Sequence, residues 1–424
     1  MNYTENVIVP ERTLLVSLDT GEYDAEESLR ELWELAKSGG AEPIATMMQK
    51  RPSPETATCV GSGMVEEIRN FCENNEIELI IFDRELTPTQ IRNLENATDV
   101  RVVDRTMLIL DIFAQRAQSR AGKVQVEAAQ LKYLLPRLTG KGTALSRLGG
   151  GIGTRGPGET KLETDRRHIR RRIEALREQL KKIEVGRHET QRRREKDGTV
   201  TVALVGYTNA GKSTLMNLLT QAGVLAEDKL FATLDPTARA LKLPGGKAVM
   251  LIDTVGLVRR LPHHLVEAFR STLEQAATAD IILNVCDASS PEARTHLDVT
   301  NEILQSLGCG DRPVIPVLNK WDLVGDADSA LHLTGAVRIS ALKNEGIPAL
   351  LQAIEDNLPV KPVDVTALLP FAKTGIAAQL RKVGALVSEE YMPEGLLIHA
   401  RVEPREMALI KPYIVENNSE SENV

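Results

Sequence analysis

An eight-residue segment, Gly206–Ser213, has the glycines, lysine and hydroxyl side chain of a loop that binds phosphate. It follows the apolar run Val200–Val205 and precedes a helical pattern, which is the strand–loop–helix context that such a loop requires. Glycines let backbone N–H groups surround phosphate oxygens, and the N-terminus of the next helix attracts negative charge. We expect Lys212 to neutralise the β- and γ-phosphates and Ser213 to bind Mg²⁺. The residues predicted to contact nucleotide here are Gly206, Tyr207, Thr208, Asn209, Ala210, Gly211, Lys212 and Ser213.

Two later loops contain groups that match the edge of a guanine base. Asn319-Lys-Trp-Asp322 follows the apolar run Val314–Leu318, and the Asp322 carboxylate can accept from both N1–H and the exocyclic amine of guanine. Adenine lacks that pair of donors and would leave a buried charge unpaired, so such a site discriminates strongly. Ser340-Ala-Leu342 follows the next apolar run and is placed to donate backbone N–H to guanine O6. The predicted base-binding residues are Asn319, Lys320, Trp321, Asp322, Ser340, Ala341 and Leu342.

Two segments between these loops have the pattern of switches that sense the γ-phosphate. Asp253 ends an apolar run and can hold magnesium through water, and the N–H of Gly256 can contact the γ-phosphate. Thr233 lies in the preceding interval and is the natural second magnesium ligand of a first switch. The predicted direct magnesium ligands are Ser213 and Thr233, and catalytic roles are predicted for Lys212, Thr233 and Gly256. The predicted nucleotide contacts in these segments are Phe231, Ala232, Thr233, Leu234, Asp235, Asp253, Thr254, Val255 and Gly256.

The residue after Gly256 is Leu257, at a position where many GTPases have a glutamine that orients the attacking water. A leucine side chain has no polar atom with which to do so. Three sources for the missing group stay open: a partner macromolecule, a backbone group or a monovalent cation. Asn209 lies where it could help to hold K⁺ beside the phosphates, the alternative being a hydrogen bond within the loop.

Alternating apolar runs and helical patterns predict the architecture that positions these loops. Residues 1–104 read as β-α-β-α-β-α-β without a phosphate-binding motif, which indicates a small open parallel sheet. The alternation resumes at 198–360 and predicts a P-loop GTPase domain. Residues 361–424 predict a small C-terminal α+β unit with a disordered tail. The predicted fold class is α/β, with a helical region between the two sheets.

That helical region, 105–197, is predicted to be a coiled-coil hairpin. One helix is expected over roughly Arg105–Leu135, and apolar residues spaced by sevens, fours and threes predict a second. The connecting loop, 140–158, contains eight glycines and no acid. Between Lys132 and Lys196 there are 19 Lys or Arg and 8 Asp or Glu, a balance of +11 in a chain of net charge −7, so the remainder has −18. One basic segment in an acidic protein favours the interpretation that this segment binds a polyanion such as folded RNA. The alternative is a charged helix face that is only solvated.

The composition of the 424-residue chain excludes several classes of protein. Its length predicts two to four domains, and 42% hydrophobic with 26% charged residues is ordinary for a globular protein. Aromatic residues are only 3%, which argues against base stacking as the main mode of nucleic-acid recognition. The four scattered cysteines form no metal or disulfide pattern, no signal peptide opens the sequence, and no apolar run approaches the ~20 residues of a membrane span. We expect a cytoplasmic, monomeric protein.

Several motifs resemble those of the HflX GTPases, which belong to the translation-factor-related class together with Obg. The most specific are DRTMLILDIFAQR at 104–116 and GGGIGTRGPGET at 149–160. The resemblance covers about 60–358. Further matching motifs lie at 162–167, 206–213, 231–236 and 253–256.

The resemblance implies a GTPase that binds GTP or GDP with Mg²⁺ and associates with the large (50S) ribosomal subunit and its rRNA. It implies rescue or splitting of stalled ribosomes under stress, a glycine loop that reaches toward the peptidyl-transferase centre, and ribosome-stimulated hydrolysis. ATP binding by the N-terminal region is also implied. The family usually has Gly-x-Gly-Lys where this chain has Gly61-Ser-Gly-Met64, which we interpret as the start of a surface helix.

Two hypotheses of other classes stay open at this point. One is an ATP-dependent RNA remodeller that uses the N-terminal sheet. The other is a GTP-regulated scaffold for protein partners, with the coiled coil as a dimer interface. Nucleotide-dependent sedimentation with 50S subunits separates both from a ribosome-binding GTPase.

Overall fold

The computed structural model describes residues 10–138, 161–196, 198–220, 230–231, 237–260, 278–309, 312–325, 331, 333–359, 363–402 and 404–415. The chain forms two compact units. The first consists of the described residues up to Thr190 together with 230–231 and 255–260, and the second consists of the remainder. The glycine loop predicted at 140–158 and the predicted contacts Ala232, Thr233, Leu234 and Asp235 lie outside the described residues.

Four parallel strands form the sheet of the first unit, in the order β2-β1-β3-β4. The two central strands are buried almost throughout, as expected of strands that read as continuous apolar runs. This confirms the parallel sheet predicted from the alternation. The elements are β1 (Arg12–Asp19), α1 (Ala25–Ser38), β2 (Glu42–Lys50), α2 (Ser62–Asn75), β3 (Leu79–Phe82), α3 (Pro88–Thr98) and β4 (Arg101–Asp104).

The interpretation of Met64 as part of a surface helix start was wrong. Met64 lies in the first turn of α2 but is only 6% exposed. It belongs to the apolar core of this sheet together with Ile68 and Cys72, which follow at helical spacing on the same face of α2. A methionine here therefore contributes to packing.

The helix predicted over Arg105–Leu135 is in fact two helices, α4 (Arg105–Arg116) and α5 (Arg120–Leu134). Ala117 leaves the helical conformation with a ψ of 110°. The Ser119 hydroxyl then caps α5 by accepting from the N–H of Gly122. The single-helix prediction failed because serine is a favoured N-cap, and apolar periodicity alone does not reveal which serine is used as one.

Helix α6 (Lys161–Lys196) pairs with α5 as an antiparallel hairpin. Arg166 donates to the carbonyl of Leu138, whereas Arg172, further along α6, bonds both carboxylate oxygens of Glu127 at 2.7 and 2.9 Å. Residue numbers thus increase along α6 while those of the contacted residues decrease, so the two segments run antiparallel. This confirms the predicted hairpin. The buried seam contains Val124, Ala128, Leu131, Leu138, Ile169, Ile173 and Leu176.

The second unit contains a six-stranded sheet in the order β10-β9-β8-β5-β7-β6. All neighbouring strands are parallel except β6 and β7, which form an antiparallel pair. This is the α/β sheet predicted for the GTPase region. Its elements are β5 (Thr201–Gly206), α7 (Lys212–Thr220), β6 (Thr237–Lys242), β7 (Ala248–Asp253), β8 (Ile281–Asp287), α8 (Ala293–Ser306), β9 (Val314–Asn319), β10 (Val337–Arg338) and α9 (Ile347–Asp356).

The same unit ends in a small α+β element with a three-stranded antiparallel sheet, order β11-β13-β12. The expected strand–helix–strand pattern is present, but strand β12 was not predicted. Its residues are almost all exposed and include two consecutive glutamates, so no apolar alternation marks it. The elements are β11 (Val363–Leu369), α10 (Gly375–Lys382), β12 (Leu386–Met392), β13 (Gly395–Val402) and α11 (Pro404–Ile410).

The cysteines are buried thiols, as their scattered positions in the sequence predicted. All four cysteines are buried and unpaired, and burial raises the pKa of the Cys286 thiol to about 12. Within the described ranges, no helix is both long and apolar enough to cross a membrane.

Candidate nucleotide-binding site

The predicted loops of the second unit meet at one edge of its sheet. Strand β5 ends at Gly206, β7 at Asp253 and β9 at Asn319, and these strands are parallel. Strand β10 ends just before Ser340. The carboxyl edge of an open parallel sheet is where α/β proteins bind ligands. The structure therefore brings the predicted phosphate loop, Asp253 and both base loops together.

Two glycines of the phosphate loop are required by its backbone. Gly206 has a φ of +150°, and a Cβ atom there would lie 2.0 Å from the carbonyl oxygen of Val285. Gly211 has a φ of +89°, and its Cβ would lie 2.2 Å from the side-chain nitrogen of Asn319. Any side chain at either position would displace the loop from β8 or from Asn319. Asn209, between them, is exposed and left-handed with a φ of +59°.

The ammonium group of Lys212 lies inside the phosphate loop. Its Nζ donates to the carbonyl oxygens of Gly206 at 2.9 Å and Tyr207 at 2.8 Å. Burial lowers the pKa of Lys212 to about 8, and the nearby Asp253 carboxylate opposes that shift in part. The loop thus holds a desolvated ammonium group. An anion bound at this position would stabilise the charged form of that group.

Oxygen ligands suited to a hard divalent cation lie beside Lys212. The Ser213 hydroxyl donates to Asp253 Oδ2 at 2.9 Å, and Asp253 is fully buried at the end of β7. A hydroxyl and a carboxylate are the ligand types that Mg²⁺ prefers. The next residue, Thr254, is also buried, and its hydroxyl donates to the carbonyl of Leu204 at 2.7 Å. That bond ties the end of β7 to β5.

Asn319 connects the phosphate loop to the second base loop. Its side-chain amide donates to the carbonyl of Ala210 at 2.8 Å, and its side-chain oxygen accepts from the N–H of Ala341 at 3.0 Å. Asn319 is only 2% exposed, so both bonds are shielded from water. One side chain therefore sets the spacing between two loops that sequence reasoning assigned to opposite ends of a nucleotide.

The carboxylate of Asp322 is held at the opening of the base loops. A hydrogen bond from the Ser340 hydroxyl is the main cause that lowers the pKa of Asp322, and Lys343 Nζ lies 3.7 Å away. The carboxylate is therefore anionic and available as an acceptor. Trp321 is stacked by the guanidinium of Arg338 at 4.5 Å from its ring. Leu342 is 82% exposed, so its side chain makes few contacts within the protein.

The remaining described candidates, Phe231, Val255 and Gly256, lie in the first unit. Phe231 packs edge-on against Phe113, with ring centroids 4.6 Å apart. Val255 is buried, and Leu257 is 1% exposed. A leucine this deeply buried is shielded from solvent and has no polar atom with which to orient a water molecule.

Comparison with known proteins gives three family models that match successive parts of the chain. One family model, described as GTP-binding GTPase N-terminal, matches residues 26–114, and one described as GTP-binding GTPase middle region matches 116–194. A model of 50S ribosome-binding GTPases matches 201–320. A GTPase HflX from Caldanaerobacter subterraneus subsp. tengcongensis is 50% identical over 392 residues, which is 92% of this chain and 91% of that protein. The chain belongs to the HflX GTPase family.

Two other proteins are similar over most of the chain. The GTPase HflX of Escherichia coli is 39% identical over 389 residues, 91% of each chain. A solved GTP-binding protein from Sulfolobus solfataricus in complex with GDP is 25% identical and covers 81% of this chain and 98% of that one, with a TM-score of 0.45. The predicted family is confirmed, and the chain is a GTP hydrolase.

One contact at the sheet edge of this HflX-family protein was missed by sequence reasoning. Asp287, the last residue of β8, pairs with Lys320 Nζ at 2.8 Å. A signal for it exists, since Asp287 ends an apolar run just as Asp253 does. Its partner is 33 positions away and is adjacent only because β8 and β9 pair in the register that sets Asp287 opposite Asn319.

Proposed function

We propose that this HflX-family GTPase is a nucleotide-controlled factor that binds the large (50S) ribosomal subunit and rescues or splits stalled ribosomes. The observation that carries the proposal is the basic hairpin of α5 and α6 in a chain whose GTPase region matches a 50S ribosome-binding model. Arg170, Arg171 and Lys182 are exposed on α6. Phosphate contacts dominate affinity for nucleic acid and need no base readout, so such a surface suits rRNA.

At the phosphate end, this chain would bind GTP through the loop 206–213. Lys212 neutralises the β- and γ-phosphates, and Gly256 contacts the γ-phosphate through its N–H. The fit for Mg²⁺ rests on the paired oxygens of Ser213 and Asp253, with Thr233 as the proposed second direct ligand. When bound, the ion neutralises charge that develops on the phosphates during transfer to water.

At the base end, Asp322 would accept from N1–H and the exocyclic amine of guanine. Its lowered pKa keeps the carboxylate charged at neutral pH, as that recognition requires. The N–H groups of 340–342 would face guanine O6, and Asn319 would fix their distance from the phosphate loop. A polar site built in this way rejects bases without the matching donors.

Hydrolysis by the isolated chain is expected to be slow because Leu257 cannot orient water. The ribosome is the proposed source of the group or rearrangement that completes the site, and a K⁺ ion held by Asn209 is the alternative source. Either route makes the rate depend on something outside the chain. Loss of one positioned group of this kind typically costs about 10²–10³ in rate.

Steady-state GTP hydrolysis with and without purified 50S subunits tests the proposal. We expect 50S subunits to increase the rate of GTP hydrolysis strongly. The increase should be smaller in the hairpin variant Arg170→Gln/Arg171→Gln, which removes two positive charges. The Arg30→Gln variant is a control for the loss of one exposed arginine outside the hairpin, because Arg30 lies on α1 and is exposed. A rate that is equally fast without subunits contradicts the incomplete site. Two separate assays test the alternatives: ATP-dependent strand separation would indicate a remodeller, and GTP-dependent dimers without RNA would indicate a scaffold.

A further inference from the structure

The side chain of Lys320 is held in place from a neighbouring strand. Lys320 has a left-handed backbone with a φ of +58° and lies between Asn319, which bonds the phosphate loop, and Asp322. Its Nζ extends back to Asp287 Oδ2 at 2.8 Å. The two side chains are 27% and 22% exposed, so the ion pair lies at the sheet edge and is largely shielded.

The Asp287 carboxylate is itself oriented by the turn that follows β8. Its other oxygen, Oδ1, accepts from the backbone N–H of Ser289 at 3.0 Å and from the Ser289 hydroxyl at 2.6 Å. The backbone N–H of Ala288 donates to the carbonyl of Asn319 at 2.8 Å, which fixes the turn against the loop that carries Lys320. The Asp287 carboxylate thus accepts hydrogen bonds from the turn through Oδ1 and pairs with Lys320 through Oδ2.

We propose that Asp287 is a positioning residue for guanine binding, which holds Lys320 extended so that its methylene stem packs on the face of the base. A lysine stem is apolar and covers flat apolar surface well while its ammonium group keeps a polar partner. Without an anchor, four rotatable bonds would have to be ordered when the nucleotide binds. With Asp287 in place that ordering is already present in the free protein, which is preorganisation of the base site.

The substitution Asp287→Asn separates the two interactions of the carboxylate. Asparagine has a single acceptor oxygen, which can serve the Ser289 turn, and its amide then presents N–H toward the lysine ammonium. The turn is kept and the anchor is lost. We expect affinity for GTP and for GDP to fall equally, by about two- to fivefold, as for a partly exposed charged pair. An equal effect is expected because the base is common to both nucleotides and the γ-phosphate is not involved.

The test is a double-mutant cycle that rests on the base site proposed above. Affinities for GTP, GDP and xanthosine triphosphate are measured for the parent chain, Asp287→Asn, Lys320→Ala, the double variant and Asp322→Asn. Asp298→Asn is the matched control, since it removes the same charge from an exposed position on α8. We expect Asp287→Asn to add nothing in the Lys320→Ala background, whereas a merely structural role would give additive losses.

The outcomes distinguish this inference from the proposed function. If Asp322→Asn shifts preference to the xanthine nucleotide while the Asp287 and Lys320 effects add, the base site stands and the positioning role is overturned. If Asp322→Asn keeps the parent preference for GTP, the base site is wrong and the role of Asp287 falls with it. An unchanged affinity in Asp287→Asn overturns the inference alone.

Discussion

Removal of the Asn319 side chain is the sharpest test of how the site is held together. In Asn319→Ala, the hydrogen bonds to Ala210 and Ala341 are lost, and both backbone groups stay buried without that partner. A hydrogen bond contributes about 0.5–1.5 kcal/mol, and a buried polar group left without one costs about 1–3 kcal/mol. We therefore expect a total cost of about 2–4 kcal/mol, because the loops can relax and admit water.

That cost divides between the free protein and the complex. The two loops must return to their native spacing to close on a nucleotide, so most of the cost appears as lost affinity, roughly 30- to 1000-fold. Isothermal titration with GDP and with GTP measures it. Asn357→Ala is a matched control, because Asn357 makes one exposed hydrogen bond to Ala353 at the end of α9. A GDP affinity within threefold of the parent would refute the view that Asn319 sets the loop spacing.

Asp322, Lys212 and Asp83 each allow a test by a single substitution. Asp322→Asn should lose guanine preference and favour xanthosine nucleotides, measured by competition binding; retention of the parent preference would reject the loop assignment. GTP affinity should fall as pH rises through about 8, because free Lys212 loses its proton there whereas bound phosphate favours the charged form; a Lys212→Met variant that keeps the same pH profile would contradict this. Asp83→Ala should lower the free energy of unfolding by about 3 kcal/mol, since fully buried Asp83 pairs with Arg105 and Arg260 at 2.8 and 2.7 Å; denaturant unfolding measures it, and a loss no larger than that of exposed Arg30→Ala would be inconsistent.

Strands that are apolar throughout and end in a polar residue could be predicted from the sequence. Strands β7 with Asp253 and β9 with Asn319 are of this kind, and β5 is apolar up to the glycine that begins the phosphate loop, so burial and chemistry both leave a local signature. Strand β12 could not be predicted, since an exposed edge strand needs no apolar side chains. The break between α4 and α5 depends on a cap at Ser119 that competes with helical periodicity.

The contacts that organise the site were harder to predict from the sequence. Asp287 and Lys320, or Asn319 and Ala210, meet only through strand register and loop conformation, which no local pattern encodes. Met64 shows the converse, since a glycine-rich motif suggested the surface whereas helical spacing placed the side chain in the core. Residue types thus indicated the chemistry, and long-range pairing supplied its geometry.

We propose that GTP controls binding of the large ribosomal subunit through the basic hairpin. Cosedimentation with purified 50S subunits tests it most directly, in a non-hydrolysable GTP analogue and in GDP, over a series of salt concentrations. We predict tight binding with the analogue and weaker binding with GDP. In Arg170→Gln/Arg171→Gln, the salt dependence should become shallower by about one unit of log–log slope for each arginine that pairs with an rRNA phosphate in the parent chain. Equal binding in both nucleotides, or an unchanged salt slope in the hairpin variant, would contradict the account.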